Sequence, residues 1–118
     1  MKFLTAIALF VLTTSLYAAT PYSFKCVKGS DGSCSINNSN AHVMQEVQTG
    51  IYGGTEGEYR MFYAVENGTS ALFVYKGQTE VAQAEGKYLA VPTGNGYAGV
   101  LLVEGLLEDS NTFIQPSL

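Results

Sequence analysis

Seven consecutive residues, Tyr97 to Val103 (YAGVLLV), carry no charge, and the run stops at Glu104-Gly105 before an acidic loop. A strand with one wet face alternates apolar with polar residues, whereas one that is apolar at every position must be covered on both sides. The run therefore reads as the central strand of an antiparallel sheet, with Val100 to Val103 as core. The covering is expected to come from a helix on one face and loops on the other.

The N-terminal residues MKFLTAIALFVLTTSLYAAT place one cation, Lys2, before an apolar stretch from Phe3 to Leu12 and a small-residue region. This is the layout of a secretory signal peptide, with cleavage expected after Ala18 or Ala19. The apolar stretch is too short to cross ~30 Å of hydrocarbon at ~1.5 Å per helical residue. Residues 1–18 are thus read as a signal peptide and 19–118 as one secreted domain, outside the membrane after cleavage. About a hundred residues can bury one modest core.

Five basic residues then face ten acidic ones, a net charge of about −5. Binding duplex nucleic acid through its phosphates requires a basic surface, so that class is excluded. Secretion makes a disulfide the expected fate of Cys26 and Cys34, the only cysteines. Two cysteines and the single histidine, His42, are too few ligands at these spacings for a metal site, and no cofactor is implied. Two Asn-x-Ser/Thr sequons, at Asn37 and Asn67, are expected at the surface if the host cell glycosylates; the second contains an Asn-Gly pair suited to a hairpin turn.

Along the domain, PYSFKCV suggests a first strand. INNSNAHVMQEVQTG reads as the one helix, with Asn38 or Ser39 as N-cap, Ala41, Met44 and Val47 on one face, and Gly50 as C-cap. His42 lies beside that stripe, where a lone histidine is ordinarily a packing residue. IYGGTEGE reads as a glycine-rich loop. Strands follow at YRMFYAV, SALFVYK, KYLAV, YAGVLLV and TFIQ, with turns at ENGT and PTGNG. The expected fold is α+β: one helix packed on a twisted antiparallel sheet of four to five strands, with one N-terminal disulfide.

This order resembles the small secreted fungal guanyl-specific ribonucleases of the microbial ribonuclease family. The Cys26–Cys34 separation is similar to that of the family's N-terminal disulfide. Ala98, Gly99, Val100 and Gly105, then Asn111 and Phe113, match its closing strands. The resemblance implies a carboxylate base, a histidine acid and an arginine that stabilises the phosphate. Here the acid position holds Val103, the arginine position Tyr88, and the base position Leu72 or Phe73. No histidine stands near Tyr59 to Phe62. Ser30 and Pro116 occupy the region of the family's second disulfide. The resemblance therefore implies a ribonuclease-like chain that has lost its catalytic machinery. Inactive secreted ribonuclease-like chains are in turn similar to effectors of plant-pathogenic fungi, which often carry an early aromatic-x-Cys motif; Phe24-Lys25-Cys26 is a close variant.

Three functions are compatible with these residues. The first is a secreted, monomeric, non-catalytic virulence effector, acting outside or inside host cells and binding a host protein in preference to RNA. Its candidate surface comprises Tyr59, Arg60, Tyr63, Tyr88, Val103 and Glu104. The second is an active ribonuclease using Glu104 with Glu58 or Glu66 as a displaced carboxylate pair. The third is an unrelated β-rich toxin, elicitor or wall-binding protein, which a structure lacking the helix or built as a two-sheet sandwich would favour.

Overall fold

The computed structural model describes residues 19–107 and 112–116; the expected signal peptide lies outside them. Eleven strands run in order: β1 (Ala19–Val27), β2 (Cys34–Ile36), β3 (Ala41–Val43), β4 (Gln45–Gln48), β5 (Ile51–Glu56), β6 (Tyr59–Glu66), β7 (Thr69–Lys76), β8 (Thr79–Ala84), β9 (Tyr88–Pro92), β10 (Gly96–Glu104) and β11 (Thr112–Ile114). They form a four-stranded sheet in the order β3-β1-β10-β9, a five-stranded meander β4-β5-β6-β7-β8, and a two-stranded ribbon of β2 with β11. All pairings are antiparallel.

The four-stranded sheet is the middle layer. Alternation sends Tyr22, Phe24 and Cys26 of β1, with Tyr97 and Leu101 of β10, toward Ile36 and Ile114 of the ribbon, forming one apolar cluster. The opposite parity sends Ala98 and Val100 against Met61, Leu72 and Val74 of the meander, forming a second cluster. The apolar run Tyr97 to Val103 is thus sandwiched between two β layers. The buried Tyr22 hydroxyl accepts a hydrogen bond from the Leu107 N–H at 2.8 Å, so its polar end is satisfied inside the first cluster.

The α+β expectation is overturned: among the described residues there is no helix. The Ala41, Met44, Val47 stripe is not one helix face. Ala41 is buried against the ribbon side of the middle sheet, and Met44 is buried in the second cluster. Val47 is 61% exposed on the meander. Between Ala41 and Val47 the chain leaves one sheet and enters the other, and the Met44 N–H donates to the Pro21 carbonyl at 2.9 Å at that crossing.

Of the residues read as helix caps, Ser39 and Gly50 serve turns instead, Ser39 as a donor and not as the accepting N-cap oxygen. The Asn37 carboxamide oxygen accepts from the Ser39 N–H at 2.8 Å and the Ser39 hydroxyl at 2.5 Å. Gly50 takes a φ of +78°, but between β4 and β5. An added Cβ there would meet the Val65 carbonyl oxygen at 2.6 Å, so a close strand approach adds to the need for glycine. Most of the expected glycine-rich loop at 51–58 is strand β5, Ile51–Glu56, and Thr79–Ala84 forms a further strand, β8.

The expected disulfide joins Cys26 to Cys34 with Cα atoms 5.9 Å apart, linking β1 to the ribbon from within the first cluster. Reducing it without denaturant should lower unfolding free energy by ~2–3 kcal/mol, the loop-closure value for so short a span, measured by urea titration. Gly99→Ala should cost about 1–3 kcal/mol in the same assay. Its methyl group would overlap the Leu89 carbonyl across the β9–β10 pair.

Candidate functional site

Strands β6 and β7 are apolar at both parities, as β10 is, but only one of their faces is covered. Met61, Leu72 and Val74 point inward to the second cluster. The alternate residues Arg60, Phe62 and Ala64 pair across the strands with Tyr75, Phe73 and Ala71 on the outward face. With Val47, Gln48, Ile51 and Gln78, all of these but Ala71 line a shallow trough of about 620 Å³, over which none of the described elements packs. Gly53 belongs to this face, and a Cβ there would already touch Val47 and Phe62 at 3.4–3.5 Å.

The trough is aromatic with one cation. The Phe62 and Tyr75 rings meet edge to face, 5.6 Å between centroids at 90°, a favoured arrangement of their quadrupoles. The Arg60 guanidinium lies 5.4 Å from the Phe62 centroid. Among the described residues no carboxylate pairs with Arg60 within 4 Å. The perpendicular rings give a notched surface, not a flat stacking platform, with a guanidinium free to donate.

A second polar feature lies between the sheets. Glu56, on the inward side of β5, has a side chain only 10% exposed. Its Oε2 accepts from the Ser23 hydroxyl of β1 at 2.8 Å and meets His42 Nδ1 of β3 at 2.8 Å. Gly54 makes room for this contact: an added Cβ would lie 2.9 Å from the Ser23 side chain. Serine, carboxylate and histidine together invite comparison with a hydrolytic triad, but the order is wrong. The carboxylate stands between the other two, so the imidazole does not take the serine proton, and Ser23 is 1% exposed. The group acts as a polar bridge joining the two sheets.

The residues expected to form one surface are dispersed. Tyr59 is buried and inward, beside the second cluster. Arg60, its neighbour, is on the outward trough. Tyr63 faces Tyr52, centroids 5.9 Å apart, in a separate cleft of about 580 Å³ shared with Pro21, Val43 and Met44. Tyr88 is on the ribbon side of the middle sheet, its hydroxyl donating to the Gln115 carbonyl at 3.3 Å. Val103 packs against the first cluster, and Glu104 is exposed at the end of β10. Of the alternative carboxylates, Glu58 faces Lys76 at 3.8 Å beyond one end of β6, and Glu66 ends the other. The helix-on-sheet frame that would gather ribonuclease positions is absent, and Tyr88 and Phe73 lie on different sheets. Among the described residues, no three His, Cys, Asp or Glu side chains gather in a group that could hold a metal ion.

Sequence reasoning missed Phe62, Phe73 and Tyr75 as surface residues, although the signal was present. SALFVYK is apolar at both parities, the rule applied to Tyr97–Val103. Comparison with protein-family models, curated proteins and solved structures finds no match to this chain.

The polar bridge has a measurable signature. Glu56→Ala leaves the buried Ser23 hydroxyl without an acceptor and should cost ~1–3 kcal/mol in chemical denaturation. His42→Ala, whose side chain is 66% exposed, should cost under ~1 kcal/mol. A Ser23→Ala/Glu56→Ala double-mutant cycle should return a non-zero coupling.

Proposed function

We propose that the protein is a secreted binding module, without catalysis of its own, that engages a host protein through the outward face of its five-stranded meander. The observation that carries this reading is the uncovered apolar parity of β6 and β7. Val47, Ile51, Phe62, Phe73 and Tyr75 form a contiguous lining that nothing among the described elements covers. Exposed apolar patches rimmed by polar groups mark interaction surfaces. Aromatic residues with an arginine are the side chains that dominate binding energy at such interfaces.

Charge favours a protein over RNA. Among the described residues, Arg60 is the only charged one lining the trough, in a chain with formal net charge −4. One guanidinium gives little phosphate neutralisation, but suffices to orient a carboxylate or backbone carbonyl beside an apolar anchor. The all-β layered build, with no helix among the described residues, favours the third reading, an unrelated β-rich toxin, elicitor or wall-binding protein, over a ribonuclease-like chain, and the trough gives such a protein its binding face. A role in host infection has the Phe24-Lys25-Cys26 motif alone as its support, since the ribonuclease-like fold through which the effector likeness was drawn is absent among the described residues.

The test uses purified protein from residue 19 onward with its disulfide intact. Wild type, Phe73→Glu and Arg60→Glu are compared in capture from host extract, with thermal unfolding as the fold control. A partner held by wild type should be lost by both variants at unchanged melting temperature, with each substituted anchor costing at least ~2 kcal/mol of binding. Retention of every captured protein by both variants would count against the trough. Incubation with end-labelled single-stranded RNA should show neither cleavage nor a mobility shift. Sedimentation velocity separates a host partner from a second copy of the chain.

A further inference from the structure

We infer that Asn67, and not Asn37, carries an N-linked oligosaccharide on the secreted molecule. The inference rests on the reading of residues 1–18 as a secretory leader, and the two sequons stand in opposite structural situations.

Asn67 and Gly68 are the central residues of the β6–β7 hairpin, with φ of +54° and +81°. Positive φ at both positions is the turn for which Asn-Gly is favoured. Asn67 is exposed at the hairpin tip, and nothing lies within 4 Å of where a Cβ on Gly68 would stand. The Thr69 hydroxyl donates to the Glu66 carbonyl at 2.7 Å once the hairpin has closed. A transferase that reads this hydroxyl therefore acts before closure, and the finished turn leaves room for the sugar in open solvent.

Asn37 is half-buried in a network. Its carboxamide oxygen holds both the N–H and the hydroxyl of Ser39, the residue that completes its sequon. Its own N–H donates to Asn40 Oδ1 at 2.9 Å, and Asn40 Nδ2 donates to the Ser35 carbonyl at 2.9 Å. These bonds tie the chain leaving β2 to the start of β3, three residues beyond the disulfide at Cys34. A glycan on Asn37 Nδ2 would leave those oxygen and main-chain bonds formally intact but would set the sugar on a half-buried side chain beside the disulfide, so the chain could not close this turn as it stands, whereas the Asn67 hairpin closes with its sugar in solvent.

The chemistry requires a lipid pyrophosphate-linked oligosaccharide and a transferase of the secretory compartment. The Asn67 side-chain nitrogen bonds to the anomeric carbon while the bond from that carbon to the pyrophosphate oxygen breaks. The lipid pyrophosphate leaves with the electron pair, and the amide gives up one proton to a base of the transferase. A glycan at Asn67 stands at the Ala64–Ala71 end of the trough, beside the binding face and not across it.

The full chain is expressed in glycosylating eukaryotic cells behind its own residues 1–18 and, in parallel, behind a foreign leader. Protein from the medium is weighed before and after peptide N-glycanase, which leaves aspartate at the former glycan position for peptide mass spectrometry to locate. The expected result is one glycan, at Asn67, absent from Asn67→Asp and retained by Thr69→Ser. A bare product from the foreign leader overturns the inference, as does a glycan at Asn37 alone or at both positions. If only the foreign leader yields secreted protein, and that protein is glycosylated at Asn67, the secretion reading fails while the acceptor site stands.

Discussion

Burial of the β1–β10 pair on both faces is the constraint from which the layered structure follows. Neither strand can end a layer, because Phe24 and Leu101 on one side and Ala98 and Val100 on the other all need apolar neighbours. The ribbon and the meander are the two solutions, one per face. The disulfide fastens the smaller one. With only two strands in the ribbon and a short final strand at Thr112–Ile114, that layer has little area of its own. A covalent link at its edge is therefore the economical place for the chain's one crosslink.

The larger layer carries the opposite problem, a surplus of apolar surface. Its inner side completes the core, and its outer side presents aromatic rings to solvent around a single guanidinium. The Glu56 bridge holds this layer in register with the middle sheet through Ser23 and His42. That bridge fixes the orientation of β5, whose outward residues Ile51 and Gly53 form part of the trough floor. Inner polar contact and outer apolar face are thus two sides of the same strand.

Much of the strand content was legible, because alternation and turn chemistry are local. The segments at 21–27, 59–65, 70–76 and 97–103 lie within observed strands, the segment at 87–91 does so from Tyr88 onward, and the ENGT turn is where Asn-Gly placed it. The region from Asn38 to Gly50 was not legible, for a physical reason. Ala41 and Met44 are three residues apart and both buried, which helical geometry explains with one face and this chain explains with two different cores. Single-sequence periodicity carries no information about which core a residue enters. Cap and turn chemistry also coincide, since Asn, Ser and Gly satisfy loose backbone groups in both. The site was dispersed in the sequence reading because a family alignment placed it. The outward parity of β6 and β7 would have gathered Phe62, Phe73 and Tyr75 without any alignment.

The pairing of β1 with β10 also sets an order of assembly. The hydrogen bond from Leu107 to Tyr22 spans 85 residues of chain, and the register from Ala19 to Glu104 is of similar reach. The meander, by contrast, consists of consecutive hairpins that close over a few residues each. Local contacts form early and long loops close late. As the chain emerges from the ribosome, the meander can zip up while the middle sheet still waits for its second strand. During that interval Met61, Leu72 and Val74 lack their cover, so the half-made molecule is greasy on both sides and the finished one on a single side. Completion of the middle sheet covers the inner side of the meander and leaves its outer, aromatic side exposed.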